Sequence, residues 1–342
     1  IMSTFKKIRG TTVQNNAGGY PAAVNGQLWY DSTNKVFKHQ YPNVTTVGSW
    51  RTGNDFNSTA SSGRGDGTQG TQTSSLAVGY FRDSGGSPEY FGAVESYDGT
   101  SWTEVNDLNT ARAFTATFGT NSATISAGGT TPGNTTNVES WNGSAWTEVN
   151  DLNTARNSFT GSGIATAGIV FGGSPTTGKT ESWNGSSWTE VSDLNSGRYG
   201  LGGAGTSTAA LAFAGSPEPA GVTKTESWDG SSWTEVGDLN QARVYVGGIG
   251  PSAPSAFAFG GLTGSTYLAK TEQFDGTSWT EVNDLSTARF QVGGGGSSTA
   301  GVAYGGSIPG GMTKATEEFT GAGAAVGAWS TTTAMNTARA QL

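Results

Sequence analysis

The sequence predicts an all-β chain closed into a ring of small antiparallel sheets, a β-propeller. Three observations carry that expectation. One phrase recurs six times, starting at Glu95, Glu139, Glu181, Glu226, Glu272 and Glu317, with spacings of 44, 42, 45, 46 and 45 residues. A period of roughly 40–50 residues built from short strands and turns marks one propeller blade per repeat. The composition suits tight turns and strands rather than helices, since 55 of 342 residues are Gly and 13% are charged. The 11 Trp, 15 Phe and 10 Tyr supply a core that a disordered low-complexity chain lacks.

Each repeat reads as four strands. Arginines stand at positions 64, 112, 156, 198, 243, 289 and 339, and a first strand follows each one. A second strand carries Leu76, Ile125, Ile169, Leu211, Phe257 or Val302, with a second apolar side chain two positions later. Gly-Gly closes most of these strands, which suits a turn with positive φ. The third strand holds Glu-Ser-aromatic, and an Asp/Asn-Gly turn leads from it to a fourth strand that opens on Trp. Only the connection between second and third strands varies much in length: 19, 14, 12, 15, 15 and 15 residues separate the second-strand apolar residue from Glu. These variable loops share a face with the entry loops that carry the arginines, so that face is the place to look for specific binding.

Ring closure can be reached in two ways. With six blades, Trp50 and Trp329 compete for one fourth-strand slot. With seven, the alternating hairpin Gly26–Gln40 gives the second and third strands of an extra blade, Trp50 opens its fourth, and Ala338–Leu342 adds the first. The pattern favours seven blades. It places a single propeller domain over residues 26–342, behind an extended N-terminal arm of residues 1–25.

Composition excludes several functions. A net charge of −8 disfavours nucleic-acid binding. With no Cys and one His, His39, the chain lacks the ligands for thiolate zinc sites or copper oxidase chemistry. No apolar run approaches ~18 residues, so no membrane insertion is expected, and no apolar signal core opens the chain. No cofactor and no metal are expected; calcium at the Asp/Asn-Gly turns finds no support in any EF-hand-type loop.

The repeated residues read as scaffold. The repeated Glu (Glu139, Glu181, Glu226 and Glu272 among its copies) is expected to accept hydrogen bonds from the repeated Arg (Arg112, Arg156, Arg198, Arg243 and Arg289) of the same or a neighbouring blade, because a residue present in every blade lacks the asymmetry catalysis needs. Trp146, Trp188, Trp233 and Trp279 occupy one repeat position and are expected to pack within or between blades. No catalytic residue is expected. Lys179, Lys224, Lys270 and Lys314 form a partial surface ring. The candidate binding residues lie where the copies disagree: Arg82, Glu89, Tyr90 and Phe91 in the long loop Arg82–Gly92, Pro217 and Glu218 in Ser216–Gly221, and Tyr267 in Leu262–Leu268.

The blade grammar of Gly-Gly, aromatic, Trp and Arg resembles kelch repeats over residues 50–342. The near-identical copies of ESWNGSSWTEVNDLNTAR resemble, more closely, kelch-like structural proteins of tailed bacteriophages, marine and cyanobacterial ones in particular. GQLWYDSTNKVF at Gly26–Phe37 resembles a segment recurrent in phage fibre proteins. The resemblance implies a virion component, a fibre, tail or head decoration or an adhesin, present in several copies. Its partners would be other virion proteins and a host surface glycan, and the arm would dock it to the particle. The alternatives are a glycan-binding or glycan-hydrolysing propeller and an intracellular kelch adaptor. The hairpin Ser227, Asp229, Gly230, Trp233 resembles the Asp-box of sialidases one residue short. That box is structural, and the arginines outside the repeat (Arg9, Arg51, Arg82) are a poor basis for the sialidase triad.

Overall fold

Alternation of apolar and small residues, cut every few positions by Gly-bearing turns, folds residues 47–321 into six blades. In the computed structural model, residues 48–55, 57, 70–83, 88–217 and 221–321 are described, together with short strands nearer both termini. The second blade runs Ala116–Thr120, Ala123–Ala127, Val138–Trp141 and Trp146–Val149. The third runs Thr160–Ile164, Ala167–Phe171, Thr180–Trp183 and Trp188–Val191. The fourth runs Tyr199–Gly205, Ala210–Ser216, Thr225–Trp228 and Trp233–Glu235, and the fifth Gly247–Ile249, Phe257–Phe259, Thr271–Phe274 and Trp279–Val282. Each is an antiparallel sheet in chain order, as the repeat predicts. The first blade has three strands among the described residues: Ser75–Asp83, Pro88–Tyr97 and Trp102–Val105.

The sixth blade corrects the expected count. Its strands Gly293–Gly296, Ala300–Tyr304 and Thr316–Thr320 are completed by Ser49–Thr52, with Trp50 opposite Phe319. Trp50 thus takes the slot for which it competed with Trp329, and the described residues form six blades rather than the seven expected. The hairpin expected to start a seventh blade does form, Leu28–Asp31 against Val36–His39, but in another sheet. There it pairs in parallel with Gln14–Asn16 and antiparallel with Ser330–Thr331, within a second unit made of residues 1–46 and 322–342. Trp329, Arg64, Arg339 and Ala338–Leu342 lie outside the described residues.

Blades hold one another through aromatic wedges. The fourth-strand Trp of one blade meets a ring of the preceding blade nearly edge-on: Trp233 on Phe171 at 4.8 Å, Trp279 on Phe213 at 4.9 Å, Trp102 on Tyr304 at 4.9 Å and Trp50 on Phe259 at 5.4 Å. Such pairs add about 0.5–1.5 kcal/mol each beyond the area they bury. The indole N–H also finds a partner. It reaches the Thr that opens the preceding third strand (Thr180, Thr225, Thr316, Thr271). Where Val94 and Val138 replace that Thr, Trp146 and Trp188 donate instead to the carbonyls of Asn106 and Asn150. Near the axis there is no room for side chains: a Cβ on Gly248 would stand 2.7 Å from the backbone nitrogen of Gly203 in the neighbouring blade.

Candidate functional site

The repeated charges close on themselves inside the blades. Arg112 pairs with Glu139 at 2.5 Å, Arg156 with Glu181 at 3.0 Å, Arg243 with Glu272 at 2.6 Å and Arg289 with Glu317 at 2.8 Å; Arg198 pairs likewise with Glu226. The five guanidinium side chains are 0% exposed and the glutamates at most 2%. Burial pulls Arg112, Arg156, Arg243 and Arg289 below the ordinary guanidinium range, and the facing glutamate opposes that pull. The second carboxylate oxygen of each Glu accepts the backbone N–H of the entry loop, from Asn109, Asn153, Asn195, Asn240 or Ser286. The Asn side chains add a bond to the same oxygen and one to the Trp carbonyl, as Asn240 does to Glu272 and Trp279. Arg and Glu therefore clamp the entry loop onto its blade, out of reach of any external ligand.

The entry and variable loops form one face, bridged by short ladders such as Asn157–Ser174, Val244–Leu262 and Phe290–Ser307. The long loop expected at Arg82–Gly92 is a hairpin instead. Pairing continues from the blade through Tyr80–Phe91, Phe81–Tyr90 and Arg82–Glu89, past a bulge between Val78 and Tyr80. Arg82 is ion-paired with Glu89 and lies 5.1 Å from the centre of the Phe91 ring. Tyr90 packs on Phe81, which also meets Phe114 of the next entry loop. Pro217 accepts a hydrogen bond from Thr176 of the neighbouring blade; Glu218 lies outside the described residues. Leu262–Leu268 is a small hairpin whose Tyr267 packs edge-on against Phe290. Structure therefore joins Arg82, Glu89, Tyr90 and Phe91 in one group, and keeps Tyr267 in a separate one.

A third set of residues escaped the sequence reading. Two positions past each Arg stand Phe114, Ser158, Gly200, Tyr245 and Gln291, all left-handed, with φ of 58°, 53°, 68°, 55° and 55°. The N–H of each donates to the carbonyl of the one before: Ser158 to Phe114 at 3.1 Å, Gly200 to Ser158 at 2.8 Å, Tyr245 to Gly200 at 2.6 Å and Gln291 to Tyr245 at 3.0 Å. This backbone belt links five blades where the inner strands begin. A non-Gly side chain in that conformation costs roughly 1–2 kcal/mol. The belt also brings entry-loop rings together: Tyr199 on Tyr245 and Tyr245 on Phe290, both at 5.9 Å. The available signal was variability: the residues just after Arg differ among copies whose flanks agree.

At the opposite end the axis opens as a cavity of about 320 Å³, lined by one turn from each blade at Gly70, Gly119, Gly163, Gly205, Pro251 and Gly296. Its chemistry is backbone and small hydroxyls, plus Ile164, 57% exposed. The lysine ring is partly paired: Lys179, Lys224 and Lys270 reach Glu190, Glu235 and Glu281 of their own blades, and Lys314 donates to the Asn57 carbonyl. Among the described residues, no group of three or more His, Asp or Glu is placed to hold a metal ion. No protein-family model matches the sequence, and no curated protein matches it.

Proposed function

We propose that this chain is a non-enzymatic structural protein of a tailed-phage particle, a kelch-like propeller that presents its loop face to a neighbouring virion protein or a host surface. The observation that carries the reading is the internal pairing of the repeated charges. Five buried Arg–Glu pairs and the Trp wedges use up the repeat, so among the described propeller residues the distinctive chemistry lies on the loops. A rigid ring with one individualised face suits recognition better than turnover. The separate unit formed by both ends of the chain is the part proposed to dock on the particle. The wording of the repeat and the segment at Gly26–Phe37 add the resemblance to phage structural proteins.

Mass spectrometry of purified particles, followed by locating the propeller in a map of the intact virion, tests this. The chain should be present in several copies per particle. Finding it only in the soluble fraction of infected cells, and never in particles, would sink the reading.

A further inference from the structure

We propose that Tyr199, Tyr245, Phe290 and Tyr267 form a platform for a neutral saccharide. The inference rests on the loop-face reading above and names the ligand class for one part of that face. Two independent observations meet here. First, Tyr245 holds a left-handed backbone conformation in which glycine is unstrained, and the fourth-blade copy has Gly200 at the same place. Strain retained at a position where a cheaper residue is tolerated points to the side chain. Second, that side chain sits in a row of rings, with centroids 5.9, 5.9 and 5.1 Å apart, each half-buried, running across three blades on the loop face.

The chemistry selects the ligand. Residues 199–203, 244–248, 262–268, 290–294 and 307–313 hold no charged side chain. The arginines beside them are 0% exposed and already paired. The lysines that follow these loops are engaged elsewhere, Lys224 with Glu235, Lys270 with Glu281 and Lys314 with the Asn57 carbonyl, so among the described residues the platform matches an uncharged sugar better than a sialic or uronic acid. Tyrosine rings with hydroxyl tips, and the Gln291 amide at the next belt position, offer flat apolar faces edged by hydrogen-bonding groups, which match the C–H faces and hydroxyls of a hexose. Four rings of about 150–250 Å² each, mostly covered, leave on the order of 200 Å². A standard protein interface takes about 800 Å² from each partner, so the platform is the size for a short sugar chain.

The test uses the purified full chain on an array of neutral oligosaccharides that includes maltohexaose and cellohexaose, with polysialic acid as the charged probe. Binding to at least one neutral glycan is expected. Tyr245→Gly should weaken it at least tenfold with little change in melting temperature, because the backbone strain it relieves offsets the ring contacts it removes. Tyr267→Ala, on an exposed hairpin, should weaken it as well and keeps the test alive if the belt variant folds poorly. The proposal is overturned if no neutral glycan binds, if polysialic acid is preferred, or if Tyr245→Gly lowers the melting temperature by several degrees while binding persists. It is equally overturned if both variants bind glycan normally and lose contact with a particle protein instead. A chain present in particles that binds no neutral glycan removes this inference and leaves the virion reading intact. A chain that binds glycan but is absent from particles does the reverse.

Discussion

The fourth and sixth blades have the same outer pairing and reach it by different routes. In the fourth, Trp228–Trp233, Ser227–Thr234 and Glu226–Glu235 face each other across the turn at Asp229 and Gly230. In the sixth, Phe319–Trp50, Glu318–Arg51 and Glu317–Thr52 repeat that register across a sequence separation of 267 positions from Arg51 to Glu318. Each doubling of a closed loop costs about 0.6 kcal/mol, so bringing these strands together costs about 3 kcal/mol more than a hairpin does. A strand free of its turn also lacks a local restraint against slipping. The sixth blade answers with charge. Glu318 stands where other copies have Ser or Gln and Arg51 where they have Thr. The two are ion-paired, and Glu318 also accepts the Tyr97 hydroxyl of the first blade at 2.5 Å. Burial first, and then that carboxylate, raises the Tyr97 pKa. The difference teaches that a repeat fixes register by turn chemistry where the chain is continuous, and by a unique polar contact where it is not.

The largest effect should come from what the two blades share. We predict that Arg198→Ala and Arg289→Ala each cost about 3–5 kcal/mol, because removing one partner strands a buried carboxylate. At roughly 2–4 °C per kcal/mol for a domain of this size, the loss is visible by calorimetry. Similar losses would keep the Arg–Glu clamp independent of how the blade is closed. A markedly larger loss for Arg289→Ala would break that equivalence, and an unchanged melting temperature in either variant would remove the structural role of the pair.

A smaller, local effect should separate the blades. Returning the sixth blade to repeat residues with Glu318→Ser and Arg51→Thr removes the charged contact to Tyr97 and the exposed half of the ion pair. Hydrogen bonds to charged groups contribute about 1.5–3 kcal/mol, and Arg51 at 69% exposure adds little. We predict a loss of about 1–3 kcal/mol, with faster amide exchange concentrated at Ser49–Thr52. Exchange that stays as slow there as in Trp233–Glu235 would mean the polar contact is not what holds the closing strand.

Much of this architecture was legible in the repeat. Period, strand order, the Arg–Glu partnership and the shared face of entry and variable loops all follow from residues that recur. The blade count did not. Trp50 and Gly26–Gln40 both carry strand signals, and local pattern says nothing about which distant edge a strand joins. The deciding residues, Glu318 and Arg51, are departures from the repeat and become meaningful only as a pair. The long loop at Arg82–Gly92 was misread for a similar reason, since Ser-Gly-Gly-Ser-Pro at 84–88 marks a turn without revealing that Phe81 and Tyr90 keep pairing on either side of it. The belt at Phe114, Ser158, Gly200, Tyr245 and Gln291 carries no shared residue type, because its bonds are made by backbone.

The smallest effect concerns the turn that the sixth blade lacks. Asp229 accepts the backbone N–H groups of Ser231 and Ser232, both at 2.8 Å, while Asn184 in the third blade accepts those of Ser186 and Ser187, both at 2.9 Å. The geometry is the same and the charge differs. The Ser232 N–H first, then the Ser231 hydroxyl and N–H, hold the Asp229 carboxyl down at about 2, below the ordinary aspartate range. A depressed carboxylate contributes stability that is complete above its unfolded pKa and fades as pH falls through the folded one. The loss from this turn therefore falls between about pH 4 and pH 2. Asp229→Asn should leave the melting temperature at pH 7 nearly unchanged, since the third blade uses Asn natively. The variant should then gain on the parent steadily as the pH is lowered through that window. A difference that stays flat from pH 5 to pH 2 would show that the carboxylate charge does nothing in the turn, and that Asp and Asn copies are interchangeable.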